Sequence, residues 1–184
     1  MAFSPAAFAV YADTGDAEKP LPLADWNPAF CGVIDMHIRR DGSWLYNGSP
    51  ILRPAMVRLF SRLLRKEGEA YFLVTPVEKV GITVEDVPFI AVEMTRGTGL
   101  LAFRTHAGDV VAADATHPLR FATDEDDSFI PYVEVRAGLE ARLSQGLARD
   151  LAALVEWDGD ACGIRSANCF FTISGLHPVF DSAS

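Results

Sequence analysis

The sequence predicts an α+β protein of two lobes, each a mainly antiparallel sheet with one main helix. Three observations carry this. The 184 residues are 49% hydrophobic and 22% charged, an ordinary globular composition with enough apolar material for one large or two small cores. Apolar residues alternate with polar ones over many short runs bounded by Gly, Pro and Asp, which is the signature of half-buried strands. Two stretches switch to helical spacing, one in each half. The order β-β-α-β is read twice along the chain, which suggests an internal duplication.

Residues 1–27 read as an irregular N-terminal arm, because Pro20-Leu21-Pro22 and Trp26-Asn27-Pro28 interrupt any period. Ala6 to Ala12 is apolar, but no Lys or Arg precedes it and the run is short for a signal peptide. A cytoplasmic protein is therefore expected. No apolar run approaches the ~20 residues that span a bilayer. Cys31, Cys162 and Cys169 are odd in number and lack Cys-x-x-Cys spacing, so they read as reduced thiols.

The first lobe is placed at 28–96. Ile34, Met36 and Ile38 alternate with Asp35, His37 and Arg39 as a strand. Asp41-Gly42 suits a two-residue hairpin turn, and Trp44 to Tyr46 returns as its partner. Gly48-Ser49-Pro50 ends the hairpin, and Pro54 opens a helix over 54–65. Met56, Val57, Phe60, Leu63 and Leu64 form its apolar face, opposite Arg58, Ser61, Arg62 and Arg65. Strands follow at 71–74, 80–84 and 89–94. The turn Arg96-Gly97-Thr98-Gly99 is taken as the boundary between halves.

The second lobe is placed at 97–184, with strands at 100–104, 109–112, 119–122 and 131–135. Leu139, Leu143, Leu147, Leu151 and Leu154 predict a helix over 137–155, with Gly146 as a kink or close-packing point. Trp157-Asp158-Gly159-Asp160 ends it, and 168–173 supplies a last strand. Asp124-Glu125-Asp126-Asp127 reads as a solvated loop, since a calcium loop needs alternating carboxylates and a turn glycine. The expected core is Phe60, Leu63, Leu64, Phe72, Val74, Val84, Phe89, Leu143, Leu147, Leu151 and Phe171.

The net charge of −9 argues against a nucleic-acid polymer or an anionic membrane as partner. Charge is unevenly spread. Between Arg39 and Lys66 stand seven basic residues and one acid, a net +6, which leaves −15 for the remainder. No Gly-x-Ser-x-Gly elbow, phosphate loop or dinucleotide fingerprint occurs. His37, His106, His117 and His177 lack metal-ligand spacing. No catalytic residue, metal site or cofactor is predicted, and a non-enzymatic role is expected. What remains is Arg104, Tyr132, Arg136 and Arg165, at the ends of predicted elements. Guanidinium groups beside an aromatic ring suit a small anionic, nucleotide-like ligand, and these four are expected to converge on one cleft. Trp44, Glu78, Glu85, Asp86 and Phe89 are expected to be structural or interface residues, with the three carboxylates near arginines from elsewhere in the chain. The alternative is a protein-interaction module, in which the arginine face of the first helix docks an acidic partner.

Certain blocks occur in a fixed order: Asp41-Gly42-x-Trp44, Gly48-Ser49-Pro50-Ile51, Arg58-Leu59-Phe60, Thr75-Pro76-Val77-Glu78-Lys79, Val84-Glu85-Asp86-x-Pro88-Phe89 and Pro131-Tyr132-x-x-Val135-Arg136. From about Gly32 to Ser174 the chain resembles the bacterial family known as domain of unknown function 1285. Val33 departs from the acidic residue such proteins place before Ile34-Asp35. The resemblance implies a two-lobed α+β protein with a duplicated core and a second lobe like a pleckstrin-homology barrel. It also implies a ligand site between lobes, a nucleotide-like ligand and a signalling role, and it implies no enzymatic activity.

Overall fold

In the computed structural model, residues 21–124 and 128–174 are described. Most of the expected arm, Glu125 to Asp127 of the acidic loop, and His177 lie outside them. The chain divides into two compact units. One comprises the residues up to Phe89 with Ala137–Leu139, and the other comprises Ile90–Arg136 and the residues from Glu140 on. The fold is α+β, with two six-stranded sheets, a three-stranded sheet and two helices among the described residues.

The first unit begins with a 3₁₀ turn at Leu23–Asp25, then β1 (Phe30–Ile38), β2 (Trp44–Tyr46), β3 (Ser49–Pro50), α1 (Pro54–Arg62), β4 (Leu64–Glu67), β5 (Ala70–Val74) and β6 (Lys79–Val84). Its strand order is β3-β2-β1-β6-β5-β4: two antiparallel meanders joined by a parallel β1–β6 pair. The β1–β2 connection is longer than the expected two residues. Arg39 N–H donates to Ser43 O at 2.9 Å and encloses Arg40, Asp41 and Gly42, with Gly42 at positive φ. The two-residue turn lies one hairpin later, at Asn47-Gly48, both at positive φ, which joins β2 to β3. The first helix ends at Arg62 rather than 65, and Arg65 belongs to β4. Ser61, expected on the solvated face, is buried and its hydroxyl donates to Val57 O at 2.7 Å.

The core of this unit is the face of the sheet under α1. Met36, Ile38, Phe60, Leu63, Leu73 and Val74 are fully buried, and Trp44 stacks on Phe60 with centroids 6.1 Å apart. Phe72 and Val84, expected in the core, are only half-buried. Phe72 pairs with Gly81, meets Phe30 edge-on at 6.0 Å and lies under the Lys79 ammonium at 4.5 Å.

The second six-stranded sheet contains β7 (Phe89–Gly97), β8 (Leu100–Thr105), β9 (Val110–Ala112), β10 (Leu119–Thr123), β11 (Phe129–Arg136) and β12 (Leu139–Leu143), in the order β10-β11-β12-β7-β8-β9. Read from β9, this is third-second-first-sixth-fifth-fourth, the same order as the first sheet. The helix stands elsewhere, however. α1 separates the third and fourth strands of its sheet, whereas α2 (Gln145–Ala152) follows the sixth. The β-β-α-β unit read in the sequence is thus not the repeat that the topology shows. Arg96-Gly97-Thr98-Gly99 is a hairpin turn between β7 and β8, not a linker.

The long helix expected over 137–155 is instead a strand and a short helix. Ala137-Gly138, both at positive φ, turn the chain from β11 into β12. Leu139, Ala141 and Leu143 are then buried in alternation, with Glu140 and Arg142 between them. A leucine every fourth residue satisfies both periods, and the turn decides in favour of the strand. Gly146 lies in the first turn of α2 and kinks nothing; Leu147 is half-buried, while Leu151 is fully buried. The three-stranded sheet follows as β13 (Glu156–Asp158), β14 (Ala161–Ser166) and β15 (Cys169–Thr172), with Phe171 half-buried. Buried Ser166 links it to the second sheet: its hydroxyl donates to Ala113 O at 2.7 Å and accepts from Leu101 N–H at 2.9 Å. No helix among the described residues is long and apolar enough to cross a membrane.

Candidate functional site

The four residues expected to form an anion cleft each have their own partner. Arg104 is exposed on β8 and pairs with Glu93 across the β7–β8 ladder. Arg136, at the end of β11, pairs with Asp109 in the β8–β9 turn. Arg165 lies on β14 of the three-stranded sheet and bridges Glu156 at 2.7 Å and Asp158 at 2.9 Å, both on β13. These two carboxylates, by hydrogen bonding, raise its pKa further above the ordinary guanidinium value. Tyr132 is buried, with the Arg120 guanidinium 4.0 Å over its ring and Arg120 held in turn by Glu140 at 2.8 Å. Three guanidinium groups that could have received an anion are therefore already matched to carboxylates. Neighbouring strands supply Glu93, Glu156 and Asp158, and the β8–β9 turn supplies Asp109, pairings that depend on register and topology and are not evident from spacing.

The signature blocks of the first unit build structure. Thr75 is buried and closes a tight turn with Pro76, Val77 and Glu78. Its N–H donates to Glu78 O at 2.8 Å, and its hydroxyl accepts from Glu78 N–H at 3.0 Å. Glu85 meets Arg40 through the main chain, not the guanidinium: its carboxylate accepts from Arg40 N–H at 2.9 Å. Glu85 N–H donates to Ile38 O at 3.0 Å, so this residue fastens the β1–β2 loop to the end of β6. Asp86 is half-buried, and Phe89 is fully buried. The half-buried Glu78 carboxylate makes no ion pair among the described residues. Trp44 is buried in the core described above.

The histidines do not gather. His37 stands 3.1 Å from Asp35 on β1, and His117 belongs to the turn centred on Asp114. The Thr116 hydroxyl and the Thr116 and His117 amides hold the Asp114 carboxyl down to about 2. Among the described residues no three His, Cys, Asp or Glu side chains are grouped to hold a metal ion.

His106 lies half-buried in the β8–β9 turn and accepts the Ile90 N–H at Nδ1, at 3.1 Å. Burial lowers its pKa below the ordinary value of 6.5. The folded chain thus refuses a proton that the unfolded chain accepts. Stability should fall as pH drops through 6.5 and level off below the lowered value. Asn at this position offers an acceptor to Ile90 and cannot titrate. Melting curves of His106→Asn between pH 7.5 and 5.5 should show a smaller loss than wild type; an equal loss would place the titration elsewhere.

The basic segment of the first unit is arranged differently from the arginines of the second. Arg65 is closed: Nη1 donates to the carbonyls of Leu23 at 3.2 Å and Trp26 at 2.7 Å, and Nη2 meets Glu67. Arg39, Arg40, Arg53 and Arg58 are exposed, and their side chains form no ion pair or hydrogen bond among the described residues. Arg39 and Arg40 stand on the β1–β2 loop, Arg53 at the start of α1 and Arg58 on its outer face. Beside Arg53 opens an apolar cleft of about 340 Å³, lined by Met36 and Tyr46 from the sheet, Ile51 and Leu52 from the connection, and Met56 and Phe60 from α1. The cleft was not foreseen. Met56 and Phe60 gave a core signal, and the gap between α1 and the β2–β3 hairpin has none in sequence.

Residues 21–87 match the family model described as "Domain of unknown function (DUF1285), N-terminal domain", and residues 88–173 match "Protein of unknown function (DUF1285), C-terminal domain". A solved DUF1285 family protein from Silicibacter pomeroyi DSS-3 is 45% identical, with a TM-score of 0.83 over 94% of this chain and 95% of that one. Another from Shewanella baltica OS155 is 28% identical, with a TM-score of 0.54 over 66% of this chain and 92% of that one. No curated protein matches. The two models together span residues 21–173, and the first of these structures shares nearly the whole fold; the chain belongs to the DUF1285 family.

Proposed function

We propose that the chain is a protein-interaction module whose first unit presents a basic face to an acidic partner. The observation that carries this reading is the set of exposed guanidinium groups with no ion pair or hydrogen bond among the described residues, Arg39, Arg40, Arg53 and Arg58, in a protein of net charge −9; of these, Arg39 feels the charge of neighbouring Asp41. A surface cation left unpaired among so many acids keeps its full capacity to steer and hold an anionic surface. The nucleotide-like reading draws no such support, since Arg104, Arg136 and Arg165 are each occupied by a carboxylate.

Charge reversal tests the proposal. Arg39→Glu/Arg58→Glu should remain folded, since both side chains are exposed, and should lose a partner that the wild-type chain retains at low salt. A partner retained equally by both proteins would refute the assignment.

A further inference from the structure

We infer that the cleft of the first unit is a binding site for an anionic amphiphile, an unbranched aliphatic carboxylate whose chain lies on Ile51, Leu52 and Met56 and whose head meets Arg53. Its volume of about 340 Å³ falls at the small end of the range of small-molecule sites, ~300–1,000 Å³. Ile51, Leu52 and Met56 give it apolar walls, backed by fully buried Met36 and Phe60. A base or sugar would leave its polar groups unsatisfied there, at a cost that a hydrocarbon chain does not carry. The accessible wall includes Met56, whose side chain is unbranched and polarizable and adapts to a flexible chain better than to a rigid ring. Leu52 is 85% exposed at the mouth, an apolar side chain with almost no protein cover.

The head group follows from charge. Arg53 lines the cleft and is exposed, and its guanidinium has no ion pair or hydrogen bond among the described residues. No acidic side chain lines the cleft. One cation beside one apolar trough matches a ligand with one anionic end, and a guanidinium receives a carboxylate through two parallel N–H donors. An extended peptide is a poorer match. The edge strand beside the cleft, β3, is two residues long and contains Pro50, which has no N–H to offer an added strand.

The site shares Arg53 with the docking face, and Arg39 and Arg58, which do not line the cleft, separate the two readings. The test uses the full chain labelled with ¹³C-methyl methionine and titrated with sodium dodecanoate below its micelle concentration. Met36 and Met56 line the cleft, whereas Met94 on β7 does not and serves as the control. The methyl signals of Met36 and Met56 should shift and saturate while that of Met94 stays in place. Octanoate should bind at least about tenfold more weakly, since each buried methylene adds to affinity. Arg53→Glu should weaken dodecanoate at least about tenfold, and Arg39→Glu/Arg58→Glu should leave it bound. Met56→Trp, which fills the trough, should abolish the Met36 shift; if that variant fails to fold, the Arg53→Glu result decides. Unmoved Met36 and Met56 signals, shifts that spread to Met94 without saturating, or equal binding of dodecanol and dodecanoate would each overturn the inference.

Discussion

Replacing Phe60 by alanine is expected to cost ~3–5 kcal/mol, the range for truncating a fully packed aromatic. Phe60 is fully buried on the inner face of α1 and stacks on Trp44, itself buried against Ile38 of β1. The substitution removes an aromatic contact between helix and sheet and leaves a void beside fully buried Met36. Chemical denaturation should show a lower midpoint with little change in slope. An unchanged midpoint would mean that α1 does not pack as described.

Gly163→Ala should be the most damaging single-methyl addition. A Cβ at Gly163 would stand 2.3 Å from Phe171 O and 2.9 Å from the Phe170 Cζ. These are backbone and ring atoms of the neighbouring strand β15, held by the Gly163–Thr172 pairing, so they cannot swing aside as a lysine tip could. The Phe170 ring lies where a side chain on β14 would project, under the Arg165 guanidinium at 5.0 Å. Opening the pair should cost ~1–3 kcal/mol or more, read as a lower melting temperature. Gly146→Ala is the control: a Cβ there meets nothing within 4 Å, and the helix gains up to ~1 kcal/mol in propensity. Equal effects of the two substitutions would contradict the close approach of β14 and β15.

Much of this fold was legible because alternation and turn residues are local. The strands around Met36, Trp44, Leu73, Ile82 and Phe103 followed from period two, and Pro54 marked the start of α1 correctly. The second helix was misread because Leu139, Leu143, Leu147 and Leu151 serve both a strand and a helix. The deciding signal was Ala137-Gly138, where an alanine at positive φ gives no warning in sequence. The family blocks at Thr75–Glu78 and Val84–Phe89 were recognised, but their work is to cap a turn and fasten a loop. The arginine cluster of the second unit failed as an open site because Glu93, Asp109, Glu156 and Asp158 reach it across strand pairs and turns, at sequence distances set by register. The arginines of the first unit were visible as a charge run, but only their lack of ion pairs and side-chain hydrogen bonds among the described residues distinguishes them from the paired arginines of the second unit.

Anionic partners are expected to meet the first unit around Arg58 and not the second around Arg165. A photo-cross-linking amino acid at position 55, exposed one turn before Arg58 on α1, and, separately, at exposed position 172 of β15, near Arg165, decides between the two in the full chain in its native cells. Position 55 should yield a discrete cross-linked protein with an acidic contact segment, lost when Arg39→Glu is added, and position 172 should yield none. A partner captured from position 172, with nothing from position 55, would overturn the assignment.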